Sequence, residues 1–125
     1  PAEVMLVSEA SRRVGAPGLL LLDTRGAAEY RGEELLAARG GHLPGAQLAP
    51  WDGALAGVPP RLRATADLRG LYAAALAAPE VVTYCQSGAR AAHTFAVLEM
   101  LGHAHPRLYL GSWQEWGNAP DTPIG

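Results

Sequence analysis

Apolar positions along the chain fall into two kinds of run. Leu19-Leu20-Leu21-Leu22 and Val81-Val82-Thr83-Tyr84 are short, with an apolar, β-branched or aromatic residue at every position. A strand covered on both faces reads this way, whereas a half-exposed strand alternates. Pro17-Gly18 before the first run and Asp23-Thr24-Arg25-Gly26 after it favour strand over buried helix. Val4 to Val7 suits an edge strand, Gln47-Leu48-Ala49 a brief strand, and Arg107 to Leu110 a further one. Elsewhere the period lengthens. Leu68, Leu71, Tyr72 or Ala75, and Leu76 recur at three and four residues over Ala66–Ala78, with Thr65 as N-cap and Pro79 as stop. Phe95, Leu98 and Leu101 mark one face of a helix over Gly88–Leu101, which Gly102 closes.

Shorter signals fill the gaps. One or two helical turns are expected over Ser8–Val14, one over Ala27–Tyr30, and a helical segment over Glu33–Arg39 that Gly40-Gly41 ends. His42-Leu43-Pro44-Gly45-Ala46 has the composition of a tight turn, with His42 a turn residue bonded to backbone. Asp52 to Pro60 reads as loop. Gly111 to Gly117 reads as a turn into a helical turn, with Trp113 and Trp116 covering the core, and Asn118 to Gly125 as an extended tail. Strands alternating with helices predict an α/β fold, a central mainly parallel sheet flanked by helices on both faces.

Bulk properties narrow the class. A length of 125 residues fits one domain with its own core. Apolar residues make up 49% and charged residues 18%, as in ordinary globular chains. No run of about 18 apolar residues occurs, so no membrane span is expected. No basic segment followed by an apolar one marks a signal peptide, and a cytoplasmic protein is expected. The chain opens at Pro1 without a methionine, which reads as a piece of a longer protein. The net charge is −2 and the ten basic residues, all arginine, form no cluster, so no nucleic-acid surface is expected. A single cysteine excludes an internal disulfide and a thiolate-built zinc site. His103 and His105 sit in a loop with nothing to orient them as ligands, and neither metal nor cofactor is expected.

That cysteine, Cys85, ends the second apolar run. Gln86-Ser87-Gly88-Ala89-Arg90 follow and lead into the long helical pattern. Strand, loop and helix N-terminus together collect backbone N–H groups around one point. A thiol placed there feels the positive end of the helix dipole, which favours the reactive thiolate. Gly88 permits a backbone angle that other residues resist, and Ser87 can donate to the same point. Two readings of Cys85 stay open at this level: a nucleophile in an anion-binding nest, or a small buried residue at a strand end. Spacing separates two chemistries. Cysteine phosphatases use a loop one residue longer before their clamping arginine. Four residues lie between Cys85 and Arg90, a tighter cradle that suits one added sulfur atom better than a phosphate. Asp23 and Arg25 could bind substrate, or Asp23 could tie loops at the strand end. His93 could cap or pack.

The segment Tyr84 to Gly102, with CQSGAR and the following AAHTFAVLEMLG, closely resembles the rhodanese domains, the thiosulfate and mercaptopyruvate sulfurtransferases. Three further segments agree in order. Leu22-Asp23-Thr24-Arg25 with Glu29-Tyr30 and Gly32 is similar to the family's first signature. Gly41-His42-Leu43-Pro44-Gly45-Ala46 is similar to its Gly-His-Ile-Pro-Gly-Ala turn. Gly111-Ser112-Trp113-Gln114-Glu115-Trp116 is similar to the C-terminal signature of two-domain members. The resemblance implies a single rhodanese-like domain over residues 1–125, standing as the C-terminal half of a two-domain chain, with an N-terminal rhodanese domain as partner. It implies that Cys85 takes sulfane sulfur from a small donor as a persulfide and passes it to cyanide or a thiol. Gln86, Ser87, Gly88, Ala89 and Arg90 would form the substrate-binding loop. Arg90 would place the anionic donor or anchor the loop to an acid. The loop departs from thiosulfate-using animal members, which carry a basic residue within it, and Glu29 stands where those have a second substrate-binding arginine. A mercaptopyruvate sulfurtransferase, a non-catalytic rhodanese module and a cysteine phosphatase or arsenate reductase are the rival readings.

Overall fold

A computed structural model describes residues 3–125. The chain runs β1 (Val4–Met5), α1 (Val7–Arg13), β2 (Leu19–Asp23), α2 (Ala27–Tyr30), β3 (Gln47–Leu48), a 3-10 turn (Trp51–Ala54), β4 (Leu55–Ala56), β5 (Arg61–Leu62), α3 (Thr65–Leu71), α4 (Ala73–Ala77), β6 (Glu80–Tyr84), α5 (Ala89–Met100), β7 (Pro106–Tyr109) and α6 (Ser112–Trp116). Five strands form one sheet in the order β1-β7-β6-β2-β3, every pair parallel. The two apolar runs lie side by side at its centre, from Leu19 opposite Glu80 to Asp23 opposite Tyr84.

Period-two alternation explains why both runs are apolar throughout. Leu21, Val82 and Tyr84 face one core with Met5, Ala10, Trp113 and Trp116. Leu22 and Val81 face the other with Leu68, Ala75, Val97 and Leu98. So α1 and α6 cover one face of the sheet, and α3, α4 and α5 the other. β2 and β6 carry the sheet's two directions of growth away from each other. The crevice between their carboxyl ends is where open α/β sheets bind ligands. Among the described residues no helix is long and apolar enough to cross a membrane.

Several local expectations are corrected. No helix forms over 33–39, because tertiary partners take its backbone groups. The Glu33 and Glu34 amides both donate to the Ala28 carbonyl, Ala38 N–H donates to Asn118 Oδ1, and Arg39 N–H donates to the Gly117 carbonyl. The Asp52–Pro60 loop holds the 3-10 turn and leads through β4 into β5, an antiparallel pair too short to show a period. Thr65 is the first helical residue, not a cap, since Ala64 occupies that place. The helix expected over 66–78 breaks at Tyr72, whose φ of −104° and ψ of 24° leave the α region. β1 stops at Met5, and Val7 already belongs to α1.

Tyr84 ties the central strand to the turn over 41–46. Its hydroxyl accepts from the Leu43 amide at 3.0 Å, and both residues are fully buried. Burial, aided by the Asp23 carboxylate, pushes the phenol far above its ordinary range, so this hydroxyl stays neutral. Tyr84→Phe keeps the ring and orphans a buried amide. We expect a loss of about 1–3 kcal/mol in urea unfolding with an unchanged denaturant slope.

Candidate active site

Cys85 is the first residue after β6, and only 1% of it is exposed. Its own amide donates to Ser112 Oγ at 3.0 Å. Its carbonyl accepts from Trp113 N–H at 2.8 Å, and the Gln86 carbonyl accepts from Gln114 N–H at 2.9 Å. The carbonyl and the following N–H of a planar trans peptide point in opposite directions. With the oxygens of Cys85 and Gln86 held by α6, the amides of Gln86 and Ser87 therefore point away from α6. Gly88 then turns the chain with a φ of 109°, in the left-handed region, and its N–H donates to Cys85 Sγ at 3.0 Å. Among the described residues no protein atom accepts from the amides of Gln86, Ser87, Ala89 or Arg90. These are the free donors of a loop entering a helix.

The loop's flanks are fixed by side chains. Arg90 gives both ends of its guanidinium to Glu29, Nη1 to Oε1 at 2.8 Å and Nη2 to Oε2 at 3.0 Å. The Arg90 hydrogen bond lowers the Glu29 carboxyl below its usual range, against its burial, and the Gly26 amide assists. Gln86 Nε2 donates to the Leu36 carbonyl at 3.0 Å, joining the loop to the segment that was expected to be helical. Ser87 and Ala89 are the exposed positions of the loop.

Asp23 and Arg25 meet behind this loop. Arg25 Nη2 donates to Asp23 Oδ2 at 2.7 Å and to the Gly41 carbonyl at 2.6 Å. Its guanidinium lies over the Trp113 ring at 4.8 Å, and both residues of the pair are buried. Thr24 donates from N and from Oγ1 to the Tyr84 carbonyl, each at 3.0 Å. The pair thus braces β2, the 41–46 turn and α6 against one another, and neither side chain lines an open surface.

The histidines have other partners. His42 Nδ1 lies 2.8 Å from the Tyr30 carbonyl, and its ring stacks on Tyr30 at 3.8 Å. His93 meets the edge of Trp51 at 5.3 Å. His103 and His105 line a cavity of about 660 Å³ at the opposite pole, beside the start of β6 and β7. Among the described residues no group of histidine, cysteine and carboxylates is placed to hold a metal.

Two contributors escaped recognition from local pattern. Ser112 has a φ of 56°, rare for a residue with a side chain, and its Oγ bridges the Cys85 amide to the Tyr109 carbonyl at 3.0 Å. Glu29 is the partner of Arg90 across 61 positions. For Ser112 the only sequence signal was its place in the C-terminal signature.

The model of the rhodanese-like domain matches residues 6–119. The chain belongs to the rhodanese-like domain family. The thiosulfate sulfurtransferase of Azotobacter vinelandii is 44% identical over 115 residues, which are 90% of this chain and 42% of that protein. The probable 3-mercaptopyruvate sulfurtransferase of Pseudomonas aeruginosa is 40% identical over 120 residues, 90% of this chain and 40% of that one. The chain thus spans less than half the length of these relatives. Among solved structures, the anaerobic ergothioneine biosynthesis enzyme of Chlorobium limicola superposes with a TM-score of 0.87 at 23% identity, over 99% of this chain and 32% of that one. This likeness shows the rhodanese-like α/β fold.

The geometry of Gly88 in this rhodanese-like domain is demanding. A Cβ there would sit 3.0 Å from Leu110 Cδ1 and 3.4 Å from the Leu110 carbonyl oxygen, on top of the unfavourable φ. At Gly45, with a φ of 77°, a Cβ would meet nothing within 4 Å. Gly45→Ala is therefore expected to cost about 1–2 kcal/mol in urea unfolding. Gly88→Ala should cost measurably more.

Proposed function

We propose that this domain transfers sulfane sulfur through a persulfide on Cys85. The observation that carries the reading is the Gly88 amide on Cys85 Sγ at 3.0 Å, within a loop whose other amides have no acceptor among the described residues. Such donors stabilise a negative sulfur without adding a full positive charge that would resist its leaving. The Cys85 thiolate attacks the outer sulfur of thiosulfate. A new S–S bond forms, the old one breaks, and sulfite leaves with the electron pair. Cyanide, or a thiolate, then attacks the outer sulfur of the persulfide, and the Cys85 thiolate is regenerated as thiocyanate, or a new persulfide, departs.

Depth of burial supports this class of reactant. A cysteine that is 1% exposed admits a slender terminal atom, as thiosulfate and cyanide both present. Gln86, Ser87, Gly88, Ala89 and Arg90 supply the loop, with Arg90 as its anchor to Glu29. Asp23 and Arg25 support it from behind. A reducing compartment, the cytoplasm, suits a lone reactive thiol. The relatives named thiosulfate sulfurtransferase support thiosulfate as donor. The relative named probable 3-mercaptopyruvate sulfurtransferase carries the second reading.

Cys85→Ser should abolish thiocyanate formation from thiosulfate and cyanide while the far-ultraviolet circular dichroism stays unchanged. The unaltered protein should gain about 32 Da on Cys85 after donor treatment and lose it on adding cyanide. Full activity in Cys85→Ser would remove Cys85 as the nucleophile. Turnover with thiosulfate against 3-mercaptopyruvate, run side by side, separates the two donors.

A further inference from the structure

The arginine that closes the Cys85 loop is already engaged inside the protein. Arg90 is bidentate on Glu29, whose side chain is 7% exposed against 29% for Arg90. Arg90 is held above its ordinary range first by this hydrogen-bonded pairing, with the charge of Cys85 among the further contributors. The cation that ends the loop thus has its charge matched by a carboxylate. Arg25, the other arginine at this end of the sheet, is 1% exposed and bound by Asp23. Arg39, on the segment that Gln86 touches, gives its guanidinium to the main-chain oxygens of Trp116, Ala119 and Thr122. The chain has no lysine.

Among the described residues these three guanidinium groups thus have their donors committed within the protein, Arg90 and Arg25 to carboxylates and Arg39 to main-chain oxygens, and a dianion meets the same amides that any sulfur anion meets. We propose that Glu29 is a specificity-determining residue: by holding Arg90 it denies the loop a free positive charge, so the site takes singly charged sulfur donors, of the alkanethiosulfonate or persulfide type, as readily as dianionic thiosulfate. This rests on the sulfurtransferase reading of Cys85. Glu29 acts through Arg90 and touches no reacting atom.

The test compares thiosulfate with methanethiosulfonate, which differ by one charge and share the transferable sulfur, in cyanolysis by the unaltered protein and by Glu29→Gln. Glutamine keeps the size of the side chain and an oxygen for the Gly26 amide, and removes the charge. The ratio of KM for methanethiosulfonate to KM for thiosulfate should rise roughly tenfold in Glu29→Gln, as one unmatched cation acts on the extra charge. A ratio that stays put or falls overturns the proposal. Should Glu29→Gln not fold, ionic strength decides on the unaltered protein. Its KM for thiosulfate should change by less than about threefold between low and high salt, whereas a rise of more than about tenfold reveals a free cation and overturns the proposal. Mass spectrometry of the unaltered protein keeps the two levels apart. No persulfide from either donor removes the Cys85 reading and this one with it. A persulfide with an unmoved KM ratio removes this one alone.

Discussion

Two peptide oxygens, those of Cys85 and Gln86, are gripped by the first amides of α6. Because a trans peptide is rigid, fixing an oxygen on one side fixes the next N–H on the other. The loop cannot turn those N–H groups toward α6 without breaking two hydrogen bonds and displacing Ser112 from the Cys85 amide. Gly88 completes the arc, since its left-handed backbone brings the next N–H back onto the sulfur. The remaining features of this pole of the molecule maintain that grip. Arg25 braces α6 through Trp113 and the turn through Gly41. Tyr84 holds the same turn through its hydroxyl, and Arg90 with Glu29 stops the helix from drifting off the loop.

Placing this arrangement at the carboxyl end of the central strand follows from the sheet order. β6 lies between β7 and β2 with core on both faces of the sheet, and Cys85 directly follows its last residue, Tyr84. A cysteine there is buried without being surrounded by hydrocarbon alone: one amide touches the sulfur while apolar side chains close around the strand that carries it. Burial and polar contact together separate a sulfur held for chemistry from one that only packs. The first strengthens each dipole by lowering the local dielectric, and the second determines where charge can rest.

Much of this could be read from the chain. The runs 19–22 and 81–84 have no polar face, and only a two-sided strand explains that; their neighbours Asp23 and Cys85 were thereby put at one end of one sheet. Gly88 signalled the left-handed turn, and the Phe95, Leu98 and Leu101 spacing signalled α5. The segment 33–39 reads as helix from its own residues, but these are overruled by partners far away in sequence, above all Asn118 and Gly117. The β4–β5 hairpin was missed because two-residue strands carry no period. The pairing of Arg90 with Glu29 was open because a bidentate contact across 61 positions leaves no local mark. The resemblance covered these gaps only in part: it pointed at Glu29 as a departure, and the structure shows what that carboxylate holds.

Backbone amide nuclear magnetic resonance of residues 86–90, followed while the free Cys85 thiol is converted to the persulfide, reports whether this loop grips the sulfur. If the loop's N–H groups hold the sulfur, the largest shifts fall on Gly88 and its neighbours in that stretch, and α6 stays still. A Gly88 amide that does not move, with the largest changes elsewhere in the molecule, would mean that these N–H groups do not hold the sulfur.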